Sequence, residues 1–288
     1  MRHKMVKKMR EIKASDITAA IKEMCTEANR SLSPDMKRAL NNAADKEESS
    51  LGRQILGQLK ENLSIAAADD IPICQDTGMA VIFAEIGQEV HVTDGWIEDA
   101  INEGVRQGYT EGYLRKSVVR DPIDRVNTGD NTPAVIHYFM VPGDKIKLTL
   151  APKGFGSENM SRVFMLKPAD GVEGIKNAVV TAVKDAGPNA CPPMVVGVGI
   201  GGTFEKCALL AKKALTRSLE EPAADERITA LEDEILQMIN ESGIGPAGLG
   251  GSTTAFAVNI ETYATHIAGL PVGVNICCHV NRHAVRVL

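Results

Sequence analysis

Three cysteines in this chain stand where a thiol can do chemistry. Cys74 opens the run Cys74-Gln75-Asp76-Thr77-Gly78, in which a thiol, an amide, a carboxylate and a hydroxyl precede a turn-closing glycine. Cys191 lies in Asn189-Ala190-Cys191-Pro192-Pro193, where two prolines stiffen the backbone just after the thiol. Cys278 stands at the edge of the strand-like run Val272–Cys277, beside the polar His279. Reactive polar groups at the end of a buried strand are costly unless they serve a site. The separations, 117 and 87 residues, match no local zinc-ribbon or ferredoxin spacing. Three thiolates can still hold three corners of a cubane iron–sulfur cluster. The fourth iron is then open to act as a Lewis acid on a substrate hydroxyl or carboxylate. At each position the alternative is a rigid turn with an incidental thiol.

These groups need elements to position them. Met79 to Ile86 follows the first run as an apolar strand, and Met194 to Ile200 follows the second. The first 70 residues read as helical: Ser15-Asp16 caps a stripe of Ile17, Ile21, Met24 and Cys25, and Ser33-Pro34 starts a second segment. Leu51, Ile55, Leu56, Leu59 and Leu63 mark a third. Asp94 is expected to cap a helix from Gly95 to about Gln107, and Gly171 to Ala186 reads as another, stopped by Gly187-Pro188. Ala134–Val141 and Lys145–Leu150 read as a hairpin around Pro142-Gly143-Asp144. The glycines of Pro152–Asn159 predict a loop whose amides approach a ligand. Helices follow over Phe204–Leu215 and from Ile228 to near Gly243, then strand-like runs over Thr254–Ile260 and Val272–Cys277. Cys25 and Cys207 fall on apolar helical faces and read as core. No repeat or linker divides the chain, so the expected architecture is one mixed α/β domain over residues 1–288, with mixed sheets flanked by helices and a helical N-terminal region.

Composition bounds the function. A net charge of -5 argues against nucleic acid as a partner. The basic cluster Arg2, His3, Lys4, Lys7, Lys8 and Arg10 has no apolar stretch behind it to form a signal-peptide core, and no apolar run reaches membrane-span length. Six cysteines without a secretory signal point to a reducing cytoplasm. Gly197, Gly199 and Gly202 fit a dinucleotide fingerprint, but no second strand ends in an acidic residue about 20 residues on.

The motifs at 74–78 and 189–193, the run Val-Gly-Val-Gly-Ile that follows, and Gly-Ile-Gly-Pro-x-Gly at 243–248 closely resemble the iron–sulfur hydro-lyases: class I fumarases and the L-tartrate dehydratase α subunit. The resemblance covers nearly all of the chain after about residue 15. It implies a [4Fe-4S] cluster and reversible hydration of fumarate to L-malate, with L-tartrate as the alternative substrate and a regulatory, non-catalytic cluster as a further reading. Single-chain members carry a second domain, so it also implies an α subunit with a separate β subunit, expected as α2β2. Carried over by residue, Cys74 and Cys191 match cluster ligands. The third is one of Cys277 and Cys278, and the register of Val272 to Asn275 favours Cys278. Gln75 and Asp76 match residues that contact the dicarboxylate substrate, with Asp76 a proton-transfer group. Arg115 matches a carboxylate clamp, His266 an active-site histidine, and Gly154 to Gly156 a substrate-binding glycine loop. The run His279 to His283 departs from the family pattern.

Overall fold

The computed structural model describes residues 9–288; the basic residues Arg2 to Lys8 lie outside them. In chain order the elements are β1 (Arg10–Lys13), α1 (Ala14–Arg30), α2 (Pro34–Lys46), α3 (Ser50–Asp69), β2 (Met79–Gly87), β3 (Val90–Thr93), α4 (Ile97–Glu111), β4 (Val135–Val141), β5 (Ile146–Lys153), the one-turn α5 (Phe155–Glu158), β6 (Arg162–Leu166), α6 (Gly171–Ala186), β7 (Met194–Gly201), α7 (Phe204–Ala214), α8 (Glu226–Asn240), β8 (Ala255–Tyr263), β9 (Leu270–Cys277) and β10 (Ala284–Val287). The class is mixed α/β, with a helical N-terminal stretch and mixed sheets flanked by helices. The chain forms two compact units. Of the described residues, one contains 9–30, Cys74–Lys153 and Arg282–Leu288; the other contains Ser31–Ile73 and Gly154–Asn281.

In the first unit, a four-stranded sheet has the order β10-β5-β2-β4, and β1 pairs with β3. The expected hairpin of β4 and β5 does not form: β2 lies between them, parallel to β4 and antiparallel to β5. β2 is almost wholly buried, so its backbone needs partners on both edges. The turn after β4 clasps the end of β2, with Gly87 N donating to Lys145 O and Glu89 N to Gly143 O. The apolar stripes of α1 and α4 pack together in the core of this unit. They meet at glycines: a Cβ on Gly104 or Gly108 would come within 2.7 Å of the Cβ of Ile21 or Cys25. Asp94 does not cap α4. It sits in a left-handed turn with φ 65°, and the helix starts three residues later, behind Trp96.

The second unit is built on a sheet of order β6-β9-β7-β8, in which β7 is parallel to β8 and antiparallel to β9. α6 and α8 pack their apolar faces against Val196, Val198, Val258, Ile260 and Val274. On β7 the alternate residues Gly197 and Gly199 face the other way. A side chain on either would fall on the backbone of α7, at the Ala211 and Cys207 carbonyls. Two of the three glycines that fit a nucleotide fingerprint are therefore accounted for by close helix–sheet packing, and the third, Gly202, by its backbone at φ 70°. A methyl at Gly199 would meet the Cys207 carbonyl at 2.1 Å, the Ala211 amide and the Leu210 Cβ, none of which can swing aside, so Gly199→Ala is expected to cost about 1–3 kcal/mol in urea unfolding. Exposed Gly57 in α3 has open space around it, and Gly57→Ala is expected to gain about 0.5–1 kcal/mol in the same measurement.

Candidate functional site

In the first unit, the segment from Cys74 to Gly78 is a tight turn ahead of β2. Asp76 Oδ1 accepts from Gly78 N at 3.0 Å, and Gly78 takes φ 75°. A Cβ on Gly78 would press on the backbone of Lys153, so only glycine fits there. The turn is held from below through its carbonyls. The Tyr109 hydroxyl donates to Thr77 O at 2.7 Å and to Gly78 O at 3.1 Å; Asn131 Nδ2 donates to Gly78 O at 3.1 Å. Arg282 Nη2 donates to Asp76 O. Tyr109 is fully buried, and burial pushes its hydroxyl pKa up, so it stays a proton donor. With the backbone pinned from beneath, Cys74 and Asp76 are half-exposed and Gln75 is exposed. Cys74 Sγ lies 3.4 Å from Gln75 Oε1. Thr77 Oγ1 donates to Arg115 O at 3.1 Å, which ties the exposed Arg115 to the same turn. The structure thus brings Cys74, Gln75, Asp76 and the main chain of Arg115 together.

In the second unit, Cys191 and Cys278 lie at the same end of the two central strands of the sheet. Cys191 precedes β7 and Cys278 follows β9, and the antiparallel register sets Val195 opposite Cys277. His279 N donates to Cys191 O at 3.3 Å, and His279 Nδ1 lies 3.0 Å from the same oxygen, which makes Nδ1 the protonated nitrogen. Cys191 has a left-handed backbone, φ 52°, and its side chain is exposed. The glycine-rich segment 243–252 braces this turn: Ala247 N donates to Pro192 O at 2.9 Å, and a Cβ on Gly248 would strike Pro188. Buried Glu47 anchors the far side of that segment, accepting from Ser252 N at 2.8 Å and Thr253 N at 2.9 Å. Of the adjacent pair, Cys277 is buried and Cys278 is half-exposed, as opposite-facing strand neighbours should be.

Two expected site features are placed differently. Gly154 to Gly156 is not an open loop: Gly154 caps α5 and Gly156 lies within it. Its Cβ position is 3.7 Å from Asn189 O, so the α5 turn lies beside the residues before Cys191. His266 is exposed, at the other end of β9 from Cys278, and its Nδ1 accepts from Ala268 N at 3.1 Å. Eight strand residues, at about 3.3 Å each, put roughly 25 Å between that end and Cys277. Within this unit His266 and the two thiols are not brought together.

The family model described as Fumarate hydratase (Fumerase) matches residues 18–287. The chain belongs to the fumarate hydratase family. It is 43% identical over 281 residues to the "Putative L(+)-tartrate dehydratase subunit alpha" of Methanocaldococcus jannaschii, covering 96% of this chain and 97% of that one. It is 31% identical over 252 residues to the L(+)-tartrate dehydratase subunit alpha of Escherichia coli, covering 86% and 82% of the two chains. The protein from Shigella sonnei with the same name matches to the same extent. Membership of this family makes the chain a hydro-lyase.

The donor set can be tested against an iron–sulfur cluster. Among the described residues no three His, Cys, Asp or Glu side chains form a ready metal-binding group. Accessibility nevertheless separates the thiols cleanly. Cys25, Cys207 and Cys277 are buried, whereas Cys74, Cys191 and Cys278 are not. Burial pushes the Cys25 and Cys207 thiols up, away from the thiolate a metal needs. Three accessible thiols on rigid turns are a chemically suitable set for three irons. Sequence reasoning did not pick out Tyr109 or Asn131. A tyrosine on an apolar helix face was the available signal, since its buried hydroxyl requires an acceptor. In the native chain freed of metal, Cys74, Cys191 and Cys278 are expected to react with iodoacetamide, and Cys25, Cys207 and Cys277 only after denaturation. Peptide mass spectrometry reads this, and equal labelling of Cys25 and Cys191 would contradict the division.

Proposed function

We propose that this chain is the α subunit of an iron–sulfur hydro-lyase that reversibly hydrates fumarate to L-malate. Residues 1–288 correspond to the α domain, which acts with a separate β subunit, as α2β2, in the cytoplasm. The observation that carries the reading is the division of the cysteines: the three that match cluster ligands are the three outside the core. Cys74, Cys191 and Cys278 would hold a [4Fe-4S] cluster. When bound, that group supplies an open iron as a Lewis acid toward the substrate's hydroxyl and carboxylate.

The chain's own residues do the rest. Arg115 presents a planar guanidinium suited to a bidentate grip on one substrate carboxylate. Its main-chain carbonyl is tied to Thr77, which supports a clamp near Gln75 and Asp76. Gln75 can orient the substrate through its amide. Asp76, half-exposed beside Cys74 with its carboxylate steadied by Gly78 N, would orient the substrate or move a proton at C3. His266 receives no role from the geometry of its unit. The remaining cations for a dicarboxylate are assigned to the β subunit. L-Tartrate is the second reading, favoured by the names of the relatives; it differs from malate by one hydroxyl.

Purified without oxygen, the chain together with its β subunit is expected to turn over fumarate, followed by its ultraviolet absorbance, while the chain alone is inactive. Full activity of the chain alone would contradict the two-subunit reading. Rates on malate and tartrate measured side by side decide the substrate. Replacing Cys74, Cys191 or Cys278 singly with Ser is expected to lower iron content and visible absorption, whereas Cys207→Ser should leave both unchanged. An intact cluster in any of the first three removes that residue from the ligand set.

A further inference from the structure

Arg282 is 4% exposed. One of its nitrogens, Nη2, donates to the Asp76 carbonyl. Its Nε and Nη1 are buried and have no hydrogen-bond partner among the described residues. A guanidinium does not escape burial by losing its proton. An unpaired buried cation is among the most costly groups a fold can carry, and an apolar side chain of similar volume would be the cheaper filling. The charge is therefore retained for something other than stability. The carbonyls that follow this one, Thr77 and Gly78, are already held by Tyr109 and Asn131. Both of those donors are neutral. Arg282 alone adds charge, and it adds it at the peptide of Asp76.

We propose that Arg282 is a positioning residue for the hydro-lyase reaction: it fixes the Asp76 peptide and keeps a permanent positive charge beneath the turn that meets the dianionic substrate. This rests on the hydro-lyase reading given above. The cation and the turn form one unit of structure. The hydrogen bond to the carbonyl holds the Asp76 main chain from which the side chain projects, and the guanidinium charge leaves a positive field on that side of the turn. A misplacement of about 1 Å in a positioned group can cost on the order of a hundredfold in rate, so a positioning role is visible in kcat rather than in folding.

The test uses the full chain with its β subunit, in three forms: wild type, Arg282→Met and Arg282→Lys. Turnover is expressed per cluster-bearing site, so that lost cluster is not counted as lost catalysis. Arg282→Met is expected to lower kcat about tenfold or more while KM changes less than about threefold. Arg282→Lys, which keeps the charge but not the fork, is expected to recover part of that loss. Amide hydrogen exchange in the peptide covering residues 74–80 is expected to quicken about tenfold in Arg282→Met, because the turn loses one of its holds. A kcat per site within twofold of wild type in both variants would overturn the proposal. Should Arg282→Met fail to fold, wild-type kcat in Arg282→Gln, which keeps N–H donors without the charge, would overturn it equally. If the wild-type complex turns over no dicarboxylate, the hydro-lyase reading fails. Exchange then decides the hold on Asp76: unchanged exchange refutes it and quickened exchange supports it.

Discussion

The contact on which the second half of the candidate site depends is that of His279 with the Cys191 carbonyl. Both the main-chain amide and the ring of His279 reach that one oxygen. The contact joins the turn before β7 to the turn after β9, and with the pairing of those two central strands it keeps two thiols at the same strand end although they are 87 residues apart. A carbonyl has two lone pairs, and here both are used to fix a turn rather than a sheet ladder. Cys191 can then sit in the left-handed region with its side chain in solvent. An exposed thiol on a flexible loop would be a redox liability; on a turn held by backbone bonds it is a preorganised donor.

Backbone proximity is the constraint that recurs through the molecule. Glycines let α4 approach α1, let α7 lie on β7, and let the 243–252 segment press on Pro188 and Glu47. The first two serve packing alone, and the third supports the Cys191 turn. The turn at Cys74 follows the same logic with other means. Its position is set by buried donors to successive carbonyls, leaving its side chains available for chemistry. Local side-chain identity and non-local backbone support are separate requirements, and both are met at each accessible thiol.

This division explains what could be read from the sequence. Element type followed from periodicity wherever an element is long and apolar on one face, as in α1, α6 and β7. The accessible thiols were legible because each stands among turn residues rather than in an apolar stripe. Pairing was not legible. The turn at Pro142 to Asp144 predicts a hairpin, yet a strand from more than 50 residues earlier enters between its arms. Nothing local encodes that insertion. The short edge strands β1, β3, β6 and β10 carry too few residues for a period to emerge. The glycines 197 and 199 show the converse problem: one spacing serves phosphate binding in some folds and helix–sheet contact here. Arg282 and Asn131 act on the Cys74 turn from 206 and 53 residues away, so their roles appear only once the chain is folded.

The central claim is that three accessible thiols, and no fourth, hold a cluster that leaves one iron for substrate. Mössbauer spectroscopy of the chain reconstituted with iron-57 and sulfide, in complex with its β subunit, addresses it directly. The account predicts four irons per chain, one of them spectroscopically distinct, with that one alone shifting when malate or tartrate is added. Four irons that all behave alike and do not respond to the dicarboxylate would contradict it.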